Sequence, residues 1–178
     1  MKDKEKILVC YATRYGSTKE VAEIIGDQLS ELSYNVKISC LMEKIDLSDV
    51  DIVFIGSPLH LGKWLPEAKE FVQFRKNELN KIPLITFTTG ITIADPTEHN
   101  MLKAGFAIDE ISVYVTPLAS GFFAGKISRD LLDDTDMQLV KMAGIQDGDY
   151  IDPEKIRGWI IETCKNITKK RDKEKSSD

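Results

Sequence analysis

The chain has 178 residues, 42% of them hydrophobic and 30% charged, a composition that suits one globular domain with a continuous core and leaves no room for two large ones. Its formal net charge of -5 speaks against a general nucleic-acid binder, which needs an excess of Lys and Arg on one face. No apolar run approaches the roughly 20 residues of a membrane helix, and the charged opening MKDKEK leads into a strand pattern without a signal-peptide core, so the expected compartment is the cytoplasm.

Residues 6–12 are apolar nearly throughout, which predicts a central parallel strand covered on both faces. A polar turn containing Gly16 follows. Ser17 and Glu20 then have capping-box spacing for a first helix, with Val21, Ile25, Leu29 and Leu32 on one face. Residues 35–40 alternate Val36, Ile38 and Cys40 with polar positions, as a strand nearer a sheet edge does. Residues 41–48 show no period and read as connection. The run DIVFIGS at 51–57 predicts a third strand, and the loop after it leads to Pro66, which suits the first turn of a second helix presenting Ala68, Phe71, Val72 and Leu79. Pro83 opens a fourth strand, LITFT, which ends in the turn Thr89, Gly90.

Asp95 and Pro96 introduce a short helix over 97–103, residues 111–119 read as a fifth strand, and Ser120, Gly121 and Gly125 punctuate its exit. Segment 126–151 is acidic, with Asp130, Asp133, Asp134, Asp136, Asp147 and Asp149, yet partly amphipathic through Leu131, Leu132, Met137, Leu139, Val140 and Met142; it predicts one or two short helices. Asp152 and Pro153 mark the start of the last helix, with Ile156, Trp159, Ile160, Cys164 and Ile167 as its buried stripe. The charged, Ser-ended stretch from Lys169 is expected to fray, which divides the chain into a domain over 1–168 and a tail over 169–178. Cys10, Cys40 and Cys164 are too scattered for a zinc site and read as reduced, packed thiols.

Strands alternating with helices imply an α/β fold, a five-stranded parallel sheet of order 2-1-3-4-5 with helices on both faces and right-handed crossovers. Ligands of such sheets sit beyond the carboxyl ends of strands 1 and 3. Three loops meet there: ATRYGST, SPLHLGKW and TTGIT. Spacing rules out several nucleotide loops. The first lacks the three glycines of a dinucleotide fingerprint, and in the second five residues separate Gly56 from Gly62 and Trp64 stands where a Walker loop needs Ser or Thr. A receiver domain needs acidic residues where Thr13 and Ser57 stand. A strand, a hydroxyl-rich turn and a helix start remain, an arrangement that offers backbone N–H groups to one phosphate monoester.

The run Thr13-Arg14-Tyr15-Gly16-Ser17-Thr18 resembles the phosphate loop of flavodoxins, T/S-x-T-G-x-T, with Tyr15 in place of the middle Thr. The run GSPLHLGKWLPEAKEFV resembles the flavin-covering loop and following helix of flavodoxin-like proteins, closest to the menaquinone-dependent protoporphyrinogen dehydrogenases and related flavodoxin-domain proteins. The resemblance implies a flavodoxin-like three-layer sandwich and FMN as cofactor. It assigns Thr13, Arg14, Tyr15, Gly16, Ser17 and Thr18 to the phosphate, Pro58, Leu59, His60, Leu61 and Gly62 to one side of the ring, and Thr89 with Gly90 to the other. It also implies that a turn of Ser120, Gly121 and Phe122 closes the pocket.

Other positions keep two readings. His60 is a flavin or substrate hydrogen-bond partner or a plain loop histidine; Lys63 is a charge near the ring or a solvated lysine; Trp64 is a stacking surface or an anchor for the second helix. Tyr11 and Phe54 read as core. No catalytic acid or base is nominated, because a flavin carries its own redox chemistry. The reaction expected is transfer of electrons or hydride from an organic donor to a quinone or another acceptor. The alternatives are a one-electron carrier docking on a redox partner protein and an interaction module that has kept the fold without flavin. In the protoporphyrinogen-dehydrogenase group the region corresponding to 126–151 is basic and apolar, so its acidity here speaks against porphyrinogen and membrane contact.

Overall fold

Alternation of burial along five short apolar runs produces the central layer of the computed structural model, which describes residues 4–175. In chain order the elements are β1 (Lys6–Tyr11), α1 (Ser17–Glu31), β2 (Asn35–Cys40), β3 (Ile52–His60), β4 (Lys63–Trp64), α2 (Pro66–Phe74), α3 (Lys76–Leu79), β5 (Leu84–Gly90), α4 (Glu98–Ser112), β6 (Ala119–Ala124), β7 (Lys126–Ile127), α5 (Asp134–Met142), β8 (Gly148–Asp149) and α6 (Pro153–Lys175). Short 3-10 turns cover Ile91–Ala94 and Arg129–Leu131. The main sheet runs β2-β1-β3-β5-β6, all parallel. That is the expected 2-1-3-4-5 order of a flavodoxin-like sandwich, with β4 added to β3 and a separate β7–β8 ribbon.

Because strand side chains alternate faces, each strand feeds two cores. Ile7, Val9, Ile52, Phe54 and Ile85 pack under α1 and α6 through Val21, Ile25, Leu29, Ile156 and Ile160. Leu8, Cys10, Val53, Ile55 and Leu84 pack under α2, α3 and α4 through Ala68, Val72, Leu79, Ala107 and Ile111. Most of these side chains are fully buried, each Val, Leu, Ile and Phe contributing roughly 1.5–3 kcal/mol of transfer free energy. Tyr11 and Phe54 are core, and Cys10, Cys40 and Cys164 are free thiols, the first and last buried. Desolvation pushes the Cys10 and Cys164 thiols up. Gly56 lies where β3 crosses Phe87, and a Cβ there would stand 2.0 Å from the phenyl ring.

Four boundaries differ from the sequence expectation. The helix expected over 97–103 runs to Ser112, and the fifth strand begins at Ala119 rather than Ile111. Ala104, Ala107, Ile108 and Ile111 are all buried on one helical face, while Val113, which an alternating strand pattern would tuck in, is 80% exposed. β3 extends to His60 because Leu59 and His60 pair back with Trp64 and Lys63. The capping box is not formed: Gly16 is the N-cap, in the left-handed region at φ 94°, and Ser17 and Glu20 are bonded elsewhere. The stretch from Lys169, expected to fray, continues α6 through Lys175 and pairs Arg171 with Glu5; residues 176–178 lie outside the described part.

Segment 126–151 contains a helix, as expected, but the β7–β8 ribbon beneath it was not legible. Lys126 and Ile127 pair antiparallel with Asp149 and Gly148, so the segment leaves the sheet beside β6, carries α5 outward and returns to the same place before α6. It forms a strap over the carboxyl ends of the strands.

Candidate functional site

The loops after β1, β3 and β5 and the strap from β7 to β8 enclose a cleft of about 840 Å³. Each wall has a local cause. In the first loop the Thr13 hydroxyl oxygen accepts the Gly16 N–H at 3.0 Å, and the positive φ of Gly16 turns the chain into α1 without a side-chain cap. The first-turn amides of α1 are thus left to an external acceptor. Thr18 is fully buried and its hydroxyl lies 2.7 Å from that of Thr89 on β5. One of these two hydroxyls donates to the other, which keeps its own hydrogen for a further acceptor.

The second wall is a hairpin. Leu59 and His60 pair with Trp64 and Lys63, leaving Leu61 and Gly62 as a two-residue turn with both φ positive, 51° and 77°, the pattern of the tight turns that suit hairpin twist. Gly62 suits such a φ; Leu61 is strained there and is 72% exposed at the tip. The base of the hairpin is pinned by Ser57, whose hydroxyl oxygen accepts the Leu65 N–H at 2.9 Å. Trp64 is 5% exposed and its indole donates to Thr88 at 2.9 Å. It therefore anchors the hairpin to β5 rather than offering a stacking face. Lys63 turns away to Glu110 at 3.6 Å, and the lysines lining the cleft are Lys103 of α4 and Lys126 of β7.

The strap closes the third side. Ser17 accepts the Lys126 N–H at 3.0 Å and donates to the Lys126 carbonyl at 3.1 Å, and Lys126 also pairs with Glu20, so the foot of the strap is tied to the start of α1. At the other end Asp136, 6% exposed, takes the Tyr15 hydroxyl at 2.5 Å, the Arg14 Nε at 2.7 Å and the His60 Nε2 at 2.9 Å. Asp133 caps α5 by accepting the Asp136 N–H and takes a second guanidinium nitrogen of Arg14 at 2.6 Å. Burial alone pushes the Asp136 carboxyl up, but the hydrogen bonds from Tyr15, His60 and Arg14 together outweigh it and bring it down to about 2. One ionised carboxylate thus joins the phosphate-like loop, the hairpin and the strap. Behind it Leu131, Leu132, Leu139 and Val140 line the cleft with apolar surface.

A flavodoxin domain profile matches residues 8–151, most of the chain. The chain belongs to the flavodoxin domain family. Among its relatives is the protoporphyrinogen IX dehydrogenase (quinone) of Escherichia coli (strain K12), 26% identical over 104 residues, which are 57% of this chain and 58% of that protein. The chain therefore spans less than two thirds of that relative's length. The probable flavodoxin 1 of Bacillus subtilis (strain 168) is 26% identical over 162 residues, 85% of this chain and 97% of that one. Among solved structures the flavodoxin of Streptococcus pneumonia TIGR4 superposes with a TM-score of 0.56 at 19% identity, covering 89% of this chain and 97% of that one, a likeness of fold.

FMN is the cofactor of a flavodoxin domain, and the donor set of this one fits it. The uncapped start of α1 with the hydroxyls of Thr13, Thr18 and Thr89 suits a dianionic phosphate, and the slot between the hairpin and Thr89 to Thr92 suits a flat ring. Of the residues expected at the cofactor, Thr13, Arg14, Tyr15, Ser17, Thr18, Pro58, Leu59, His60, Leu61, Gly62, Thr89 and Gly90 line the cleft, while Gly16 supplies the turn. Two of them carry less charge or hydrogen bonding toward a ligand than expected, because Arg14 is held by two carboxylates and Ser17 by the strap.

Ser120 and Gly121 are placed differently. They lie within β6, not in a turn after it, and pair with Thr86 and Phe87. Ser120 bonds the Thr86 hydroxyl at 2.7 Å, and a Cβ on Gly121 would stand within 2.9 Å of the Phe123 and Trp159 rings. Their place at the cleft is taken by Gly125 and Lys126. The residue that sequence reasoning missed is Asp136. Its segment stood out as acidic and amphipathic, but nothing distinguished it from the neighbouring aspartates.

Proposed function

We propose that this flavodoxin domain is an FMN-dependent oxidoreductase of the cytoplasm, passing electrons or hydride from an organic donor to a quinone or another planar acceptor. When bound, FMN supplies the hydride or single-electron chemistry; the chain binds it, orients it and excludes water around it. The observation that carries the reading is the strap. An electron carrier needs a phosphate loop and ring loops, whereas here the strap adds a wall of Leu131 and Leu132, ahead of α5, and of Leu139 and Val140 on it, to the cleft. Such a wall suits an apolar, flat second ligand beside the ring. The strained, exposed Leu61 opposite it adds a further apolar contact.

The E. coli relative's name carries both protoporphyrinogen and a quinone. The strap exposes Asp130 and Asp134, while its Asp133 and Asp147 are paired with Arg14 and Arg129; the two exposed carboxylates repel those of a porphyrinogen and anionic lipid alike. We therefore favour the quinone half of that activity. No helix among the described residues is long and apolar enough to cross a membrane. The same acidic face favours a second reading, a carrier that docks on a basic redox partner protein.

Reductive titration of the FMN-loaded protein, followed by a screen of quinones, porphyrinogen and nicotinamides, separates the two. Two-electron reduction with turnover on a quinone supports the enzyme. Stepwise one-electron reduction with turnover only through a partner protein supports the carrier. Protein that is colourless and cannot take up FMN refutes both.

A further inference from the structure

The contacts of Asp136 fix more than the position of the strap. An ionised carboxylate is an acceptor only, so the His60 nitrogen 2.9 Å from it, Nε2, carries the hydrogen and donates. That sets the tautomer: neutral His60 has its lone pair on Nδ1, and protonated His60 has a hydrogen to give there. Among the described residues Nδ1 has no partner, and His60 both lines the cleft and keeps 31% of its side chain exposed.

The other groups facing the same carboxylate have no proton to spare. The Tyr15 hydroxyl hydrogen is engaged by Asp136, and Arg14 is held between Asp133, Asp136 and the Tyr15 oxygen. Lys126 is paired with Glu20 and Lys63 with Glu110. Only Lys103 competes, as a lysine at the rim of the cleft with no ion pair among the described residues.

We propose that His60 is the proton donor to the acceptor reduced in this cleft and that Asp136 is its positioning residue. The inference rests on the oxidoreductase reading and names a residue for it. A quinone needs two electrons and two protons to become a hydroquinone. Bound reduced FMN would supply the electron pair and one hydrogen as hydride, being oxidised in turn, which would leave one quinone oxygen as an oxyanion. The Nδ1–H bond of protonated His60 then breaks as an O–H bond forms on that oxygen. His60 is left neutral, with Nε2–H still on Asp136, and regains its proton from solvent through its exposed edge. Positioned proton transfer of this kind contributes roughly 10²–10⁴-fold to a rate.

The test compares FMN-loaded wild type, His60→Gln, His60→Ala, Asp136→Asn and Lys103→Gln, reduced and mixed either with a quinone or with ferricyanide, which takes one electron and no proton. The ratio of the two rates cancels changes in flavin loading. The ratio should fall about 10²-fold in His60→Gln and at least tenfold in Asp136→Asn, and added imidazole should restore part of the quinone rate in His60→Ala. ¹⁵N spectra of the chain's two histidines should show neutral His60 as the Nε2–H form in wild type and a mixture of tautomers in Asp136→Asn. An unchanged ratio in His60→Gln, an Nδ1–H form in wild type, or a loss that follows Lys103→Gln instead overturns the assignment while leaving the flavin reading intact. Protein that binds no FMN and reduces no ferricyanide overturns the flavin reading, and this assignment with it.

Discussion

Replacing Asp136 by Asn keeps the shape of the side chain and removes its charge, so the cost measures what the carboxylate does for folding. The native carboxyl loses its proton at about 2, against an ordinary value of 3.8. That difference of just under two units corresponds to about 2 kcal/mol of native-state stability, at 1.36 kcal/mol per unit. Counting hydrogen bonds gives a larger figure, an upper bound of about 3–6 kcal/mol for the Tyr15 and His60 donors together. Hydrogen bonds to a charged group contribute about 1.5–3 kcal/mol, and here one of the three donors, Arg14, is 36% exposed and is discounted for solvent screening. Asn retains some acceptor capacity, which trims the sum further. Because the native carboxyl is depressed, the contribution is complete above about pH 5 and shrinks as pH falls through 3.8 toward 2. Urea denaturation of wild type and Asp136→Asn should therefore differ by about 2 kcal/mol at pH 7, by roughly half that at pH 3, and little at pH 2. A difference of the same size at pH 7 and pH 3 would mean that the charge is not the cause. A difference below about 0.5 kcal/mol at pH 7 would place the pair with ordinary surface ion pairs.

Three further substitutions test other parts of the structure. Thr18→Val removes a fully buried hydroxyl that meets Thr89 and should weaken FMN binding by about 1.5–3 kcal/mol, a rise in Kd of roughly 10–150-fold; an unchanged Kd by flavin-fluorescence titration removes Thr18 from the phosphate site. Gly56→Ala drives a methyl into the buried Phe87 ring and should cost about 3 kcal/mol or more in urea denaturation, whereas a loss under about 1 kcal/mol would mean that the ring is free to move. Leu61→Asn relieves a left-handed φ that suits Asn better than Leu and should raise stability by about 0.5–1 kcal/mol. If thermal unfolding shows the substitution to be destabilising, Leu61 is packed rather than strained.

The β1, β3 and β5 runs, α1 and the stripe of α6 were legible because their patterns are local: an unbroken apolar run or a 3.6-residue stripe has one way to be buried, and the 2-1-3-4-5 order follows from alternating strands and helices. The phosphate-like loop was legible for a similar reason, since Gly16, the hydroxyls and the helix start are contiguous in the chain. Where two periods fit one stretch, local pattern failed. Ile111, Val113 and Val115 alternate as a strand does, but Ile111 also completes the helical stripe of Ala104, Ala107 and Ile108, and its packing under the sheet goes with a helix that runs to Ser112. Ser120 and Gly121 looked like a turn for lack of bulk, yet Gly121 is small because the Phe123 and Trp159 rings pass over it.

The cleft itself combines both kinds of information. The sequence by itself determined which three loops gather hydroxyls, a glycine turn and a helix start at one end of the sheet, because those loops lie directly after their strands and their chemistry is written in consecutive residues. Only the tertiary structure decided what faces them. Asp136 lies more than a hundred positions from Arg14 and Tyr15 and 76 from His60, and contacts between such distant residues leave no periodic mark on a chain. The β7–β8 ribbon, only two residues in each strand, returns the strap to the sheet and sets that carboxylate over both loops. A short ribbon has too few residues to show an alternation, so the closure of the cleft and the tautomer it imposes on His60 become visible only when the chain is folded.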